Sequence, residues 1–173
     1  LMNKYIPILA YHSLDPERFP NKLAISAGLF EKQMSFLKKN RFHVVGLETC
    51  AKNKWKEDLF GRKVAITFDD GYLDNYHYAF PVLKEFGFAA VFFITPTDVG
   101  KEGFMTWEML RSMSAVPGIE IGSHALEHKP LSDIPEKEAW TSLVASKKIL
   151  EEKLGREVRA ISYPSGSFNE KII

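Results

Sequence analysis

Two adjacent carboxylates and two imidazoles spaced four residues apart are the groups of this chain with the most chemical potential. Val64-Ala65-Ile66-Thr67-Phe68 is short, apolar and rich in β-branched residues, as a buried strand would be, and it runs straight into Asp69-Asp70-Gly71. A second strand-like run, Ile119-Glu120-Ile121-Gly122-Ser123, ends on His124, with His128 four residues on. Two imidazoles and one carboxylate form the donor set of a catalytic rather than a structural zinc centre, because three protein ligands leave a position open for water. The second carboxylate then stays free to act as a base. The combination points to metal-assisted hydrolysis.

Each half of that set has a plainer reading when taken alone. Asp69-Asp70-Gly71 fits an ordinary turn with solvated acids, since glycine permits the backbone angles a tight turn needs. His124 and His128 stand at i and i+4, so one helical turn would carry both rings to the same side. The same spacing fits one histidine capping a helix and the other facing water. What favours ligation is the conjunction: a rigid apolar run leads into the carboxylates, and a second leads into the imidazoles.

The elements that must hold these groups alternate. Strands are expected at Ile6 to Tyr11, Phe42 to Leu47, Val64 to Phe68, Phe88 to Thr95, Ile119 to Gly122 and Val158 to Tyr163. Phe30, Met34 and Leu37 recur at helical spacing and predict a helix over Ala27 to Lys39. Ala51 to Arg62 reads as a short helix and loop, and a helix from Asp74 to Phe86 should close on Gly87. A short helix is expected at Thr106 to Met113. A longer one should start at Asp133 and Pro135, turn Trp140, Leu143, Val144, Leu150 and Leu154 to one face, and end at Gly155.

Strands alternating with helices predict parallel βα units. Tyr11-His12, Asp69-Asp70, Thr95, His124 and Tyr163-Pro164 all fall just after strands. In a (β/α) barrel those positions meet at one mouth, the C-terminal face. A doubly wound sheet would usually carry a glycine-rich phosphate turn, which is absent. The expected fold is therefore α/β, a distorted or incomplete (β/α) barrel of parallel strands, since 173 residues fall short of eight full units.

Composition narrows the class. Lys and Arg total 23 against 22 Asp and Glu, so charge suggests no nucleic-acid partner. The single cysteine, Cys50, excludes an intrachain disulfide and a cysteine-rich metal cluster. No apolar run reaches the roughly 20 residues needed to span a bilayer, and no signal peptide is visible. Without repeats or linkers, residues 1–173 read as a single domain, with a C-terminus that breaks off at what looks like the start of a helix.

Three segments carry a specific resemblance. Thr67-Phe68-Asp69-Asp70-Gly71-Tyr72, Ser123-His124-Ala125-Leu126-Glu127-His128 and Tyr163-Pro164-Ser165-Gly166-Ser167-Phe168-Asn169 resemble, in order and spacing, the first three motifs of polysaccharide deacetylases, the carbohydrate esterase family 4 or NodB-homology domain. Leu9-Ala10-Tyr11-His12-Ser13 and Phe104-Met105-Thr106-Trp107 are similar to the poly-N-acetylglucosamine deacetylase branch. The resemblance implies a barrel of the seven-stranded type. It implies Asp70, His124 and His128 as ligands of a divalent metal, most commonly zinc, and Asp69 as general base. The backbone N–H of Ser165 would receive the oxyanion. His12, Tyr72, Trp107, Tyr163 and Pro164 are expected along the substrate groove, with packing as the alternative role for Trp107.

There are departures. Ala125 stands where the family commonly has Ser or Thr, and Ser162 where many members carry an arginine beside the base. The family's late Leu-x-His motif, source of the leaving-group proton, does not occur before Ile173, and no general acid is assigned. The implied activity is removal of N-acetyl groups from N-acetylglucosamine-containing polysaccharide, and the implied location is extracellular, cell-surface or periplasmic. The alternatives are a small-amide hydrolase with the same metal centre and a non-catalytic carbohydrate-binding module.

Overall fold

The computed structural model describes residues 6–18, 22–52 and 62–173. Five parallel strands form one sheet: β1 (Ile8–Tyr11), β2 (His43–Val44), β3 (Lys63–Phe68), β4 (Ala90–Ile94) and β5 (Ile119–Ser123). The order is β1-β3-β4-β5, with β2 pairing the start of β3 at Lys63 and Val64. Beyond β5 a single parallel bridge joins Ser123 to Ile161. Five strands and one bridge among the described residues do not reach the expected seven.

β3 and β4 are buried along nearly their whole length, which explains their near-continuous apolar runs. Register places Tyr11 opposite Phe68, and Phe68 opposite Phe92. Their rings form a row: Phe68 stacks on Phe92 with centroids 4.6 Å apart and on Tyr11 at 5.3 Å. Phe30 of α1 (Ala27–Lys39) meets the Tyr11 ring edge-on at 5.1 Å. Burying each such side chain is worth roughly 1.5–3 kcal/mol. This row lies directly before the strand ends that carry His12 and Asp69, so those two residues grow from the firmest part of the core.

Helix α1 matches its expected limits, starting at Ser26, whose side chain accepts the Leu29 N–H. The strand expected to run from Phe42 to Leu47 is only two residues long, because α2 (Leu47–Lys52) takes over at Leu47. The helix expected within Ala51 to Arg62 therefore begins earlier, and residues 53–61 lie outside the described residues.

The segment after the acidic pair is helical as expected but in two parts. Asn75–Ala79 forms a π-helical turn, followed by α3 (Phe80–Phe86). Pro81 has no N–H to carry the hydrogen-bond ladder across the junction. Gly87 closes α3 at φ 65°, a left-handed angle that suits glycine.

Helix α4 (Trp107–Ser114) is capped by the Thr106 hydroxyl, and α5 (Glu136–Leu154) ends on Gly155. Asp133 does not cap α5. It belongs to a 3₁₀ turn, Leu131–Asp133, and Pro135 itself occupies the N-cap position. The expected apolar face also needs correction: Trp140 is 67% exposed and Val144 48% exposed, while Ala139, Ser146 and Leu150 are buried. Close approach explains it, since the Ser146 hydroxyl meets that of Ser123 on β5 at 2.7 Å, leaving no room for large side chains. The last expected strand, Val158 to Tyr163, shrinks to the bridge at Ile161. The Ser123 N–H donates to Ala160 at 2.9 Å and the Ser162 N–H to Ser123 at 3.0 Å, with no described strand on the far side to extend the ladder.

Candidate metal centre

Because the strands are parallel, their C-terminal ends share one edge of the sheet, and His12, Asp69, Thr95 and His124 each follow a strand there. The Asp69 N–H donates to the Tyr11 carbonyl at 2.9 Å, fastening the end of β3 to β1. The chain then turns sharply. Asp70 has φ 74° and Gly71 φ 82°. A left-handed angle costs an ordinary residue about 1–2 kcal/mol, so Asp70 is held under strain in the turn, as happens at functional sites. A Cβ on Gly71 would lie 3.0 Å from the Ile94 side chain, so both space and angle call for glycine.

The imidazoles arrive by a different route from the expected helical turn. Residues 124–130 form no helix. Ala125 takes φ 60°, its N–H held by the Ser123 hydroxyl at 3.2 Å. The bend that follows is pinned by the Leu126 N–H to the Ser142 hydroxyl of α5 at 3.1 Å, and by the Thr97 hydroxyl to the Leu126 carbonyl at 2.9 Å. It brings the two rings to 5.2 Å between centroids.

Asp70 Oδ1 lies 3.3 Å from His124 Nε2 and 3.3 Å from His128 Nε2. All three donor atoms fall within 4.8 Å of one another. This buried oxygen has no hydrogen-bond partner among the described residues. His124 Nδ1 lies 2.9 Å from the Ser162 carbonyl, which can only accept. Nδ1 therefore carries the hydrogen, which leaves Nε2 as the nitrogen that offers a lone pair to the site when the ring is neutral, as a metal-binding imidazole should. An unsatisfied carboxylate oxygen facing two imidazole nitrogens fits a divalent cation.

Asp69 stands beside this group. Its Oδ2 accepts the Ser162 hydroxyl at 3.1 Å, and His12 Nε2 lies 4.0 Å from the same oxygen. Burial is the main influence on Asp69 and raises its pKa above the ordinary carboxylate value; the imidazoles of His124 and His12 and the Ser162 hydroxyl oppose it. Burial also works to raise Asp70, but His124, then His128 and His12, outweigh it and hold that carboxyl below its usual value. Burial would lower His124, yet Asp70 and Asp69 overcome this and raise it. The paired acids are thus pushed apart, one towards the proton and one away from it.

The other expected site residues are spread more widely. Tyr72 is half-buried, stacks on Phe104 at 5.4 Å and has its hydroxyl pKa pushed up to about 12 by burial and then by the Asp70 charge. Trp107 is half-buried against the main core at the start of α4. Tyr163 packs with Ala125, Leu131 and Ala139 in a second, smaller cluster and meets Phe168 at 5.3 Å. Pro164 is buried, and Ser165 is exposed at φ 57° in the turn that follows Ser162. The Ser165 N–H has no acceptor among the described hydrogen bonds.

Sequence reasoning undervalued two residues. Ser162 stands in place of the family's arginine, yet its hydroxyl holds the Asp69 carboxylate and its carbonyl sets the His124 tautomer. His12, expected along the groove, stands 4.0 Å from the Asp69 carboxylate. Its position after a strand, shared with Asp69 and His124, was the signal.

A parallel α/β sheet thus gathers at its C-terminal edge two imidazoles and a carboxylate that could hold a cation, with a second acid beside them. The chain belongs to the polysaccharide deacetylase family, whose model matches residues 56–173. It is 32% identical over 169 residues to the Bacillus subtilis protein YxkH, a polysaccharide deacetylase by name, covering 97% of this chain and 59% of that one. It is 28% identical over 160 residues to a poly-β-1,6-N-acetyl-D-glucosamine N-deacetylase of Staphylococcus aureus, covering 85% of this chain and 55% of that protein. The chain thus spans little more than half the length of these relatives. Among solved structures, the deacetylase PplD of Streptococcus pyogenes, in complex with acetate, superposes with a TM-score of 0.86 at 28% identity, over 96% of this chain and 76% of that one. IcaB from Ammonifex degensii gives 0.85 at 25% identity, over 98% and 78%.

Proposed function

We propose that this chain is a metal-dependent N-deacetylase that removes acetyl groups from polysaccharide containing N-acetylglucosamine, such as an exopolysaccharide, peptidoglycan or chitin-like polymer. The observation that carries the reading is the approach of two imidazole nitrogens to one buried, donorless Asp70 oxygen, with Asp69 unligated beside them. Relatives named for deacetylation of poly-β-1,6-N-acetylglucosamine support the substrate class. Such polymers lie outside the cytoplasm, which favours an extracellular, cell-surface or periplasmic location. No helix of the described residues is long and apolar enough to cross a membrane.

Asp70, His124 and His128 hold the cation, with zinc the best match to two imidazoles and a carboxylate. When bound, that cation supplies Lewis acidity, lowering the pKa of a water and polarising the acetamide carbonyl. Asp69 takes the proton of the attacking water, steadied by the Ser162 hydroxyl. The Ser165 N–H donates to the oxyanion that forms. His12 gives the proton that lets the amine depart. Of the histidines outside the ligand set, His43 and His77 are exposed on β2 and the π-helical turn, and His12 alone of these reaches the acid pair among the described ion pairs.

Acetate release from β-1,6-linked N-acetylglucosamine oligomers by the zinc-loaded chain tests the reading. Asp69→Asn should keep the metal and abolish turnover. Sugar binding without turnover, unchanged by Asp69→Asn, would overturn the enzyme reading, and release from small amides alone would overturn the polymer.

A further inference from the structure

We propose that Asn75 is a positioning residue that sets the proton donor His12 through its main chain, in a frame supplied by Asp74 and Ser13. The inference rests on the reading of His12 as general acid and adds a residue that the motifs do not mark.

Asn75 opens the π-helical turn after the acidic pair and is fully buried. Its amide nitrogen has two hydrogens, and both are used. One goes to the His12 carbonyl at 2.8 Å and the other to Asp74 Oδ1 at 2.6 Å. Asp74 Oδ2 accepts the buried Ser13 hydroxyl at 2.6 Å, and the Ser13 oxygen in turn accepts the Asp15 N–H at 3.0 Å. The His12 carbonyl and the residue that follows it are thereby tied to the turn that follows Asp70.

The amide can face only one way. Turned over, its oxygen would confront a carbonyl and a carboxylate, both acceptors. In the observed orientation Asn75 Oδ1 is buried with no donor at all. A buried amide oxygen without a partner is costly, so an apolar side chain would serve packing better. What the amide secures for that cost is the hydrogen bond to His12. None of its hydrogen bonds reaches Asp70, His124 or His128, so the network fixes the proton-donor side of the site and leaves the cation side alone.

The role has a signature that general loosening lacks. Cleaving the acetamide C–N bond expels an amine, which must take a proton as it leaves. Cleaving the C–O bond of 4-nitrophenyl acetate releases 4-nitrophenolate, which leaves as an anion and needs none. In the zinc-loaded chain, Asn75→Ala should lower kcat on N-acetylglucosamine oligomers roughly 10- to 100-fold, the scale of a misplaced catalytic group. Ester hydrolysis should stay within about twofold and zinc content should be unchanged. Equal losses on both substrates, or none on either, would overturn the proposal. His12→Ala should show the same split more strongly. If it lowers ester and amide alike, His12 is not the acid and the parent reading fails; if it splits while Asn75→Ala does not, only the positioning role falls. Should Asn75→Ala not fold, Ser13→Ala loosens the far side of the frame, and the absence of a split there overturns the proposal equally.

Discussion

His124 gives its Nδ1 hydrogen to the Ser162 carbonyl at 2.9 Å, and that bond decides which face of the imidazole is left for a cation. The same residue, through its hydroxyl, holds Asp69 at 3.1 Å. Ser162 therefore holds the proposed ligand and the proposed base with different atoms, and substitution can separate them. Ser162→Ala keeps the carbonyl, so zinc stoichiometry should hold. Turnover should fall roughly tenfold, because a hydrogen bond to a charged group is worth about 1.5 kcal/mol or more. Metal analysis alongside acetate release checks this, and a matching loss of zinc would show that the residue acts through His124 instead.

Cation binding should stabilise the fold measurably, since the ligand atoms come from two separate strand ends. Zinc at 100 times its Kd contributes about 2.7 kcal/mol. At roughly 2–4 °C per kcal/mol for a chain of this size, thermal denaturation should shift upward by about 5–10 °C. A chelator should reverse the shift, and Asp70→Asn should remove most of it. A shift that survives in Asp70→Asn would place the cation elsewhere.

Gly71 should not tolerate a side chain. Its φ of 82° and the 3.0 Å approach of a Cβ to Ile94 both work against alanine. Gly71→Ala is expected to lose at least about 1–2 kcal/mol, read as a lower denaturant midpoint at unchanged slope.

Helix α5 offers a contrast between residues of similar character. Trp140→Gln, at an exposed position, should change stability by no more than about 0.5 kcal/mol. Leu150→Ala, fully buried, should cost roughly 2–5 kcal/mol. A loss at Trp140 as large as that at Leu150 in a denaturant titration would restore the face expected from apolar spacing.

Much of the fold was legible because its signals are local. Phe30, Met34 and Leu37 fix α1 by their spacing, Gly87 and Gly155 mark helix ends by needing positive φ, and β3 and β4 announce themselves as apolar runs. Where expectation failed, a tertiary neighbour had overridden the local pattern. Ser146 against Ser123 turned α5 so that Trp140 faces out, and among the described residues the segment at Ile161 pairs only with Ser123.

Taken alone, the sequence determined the elements and the chemical alphabet of the site: two acids after one strand, two imidazoles after another, and motifs that name the family. It could not decide which groups meet. That His12, from the first strand, stands 4.0 Å from Asp69, that Ser162 binds Asp69 and His124 together, and that Asn75 grips the His12 main chain are consequences of parallel registry between distant segments. Such contacts arise from the packing of whole strands against one another, and no pattern within a window of neighbouring residues carries that information.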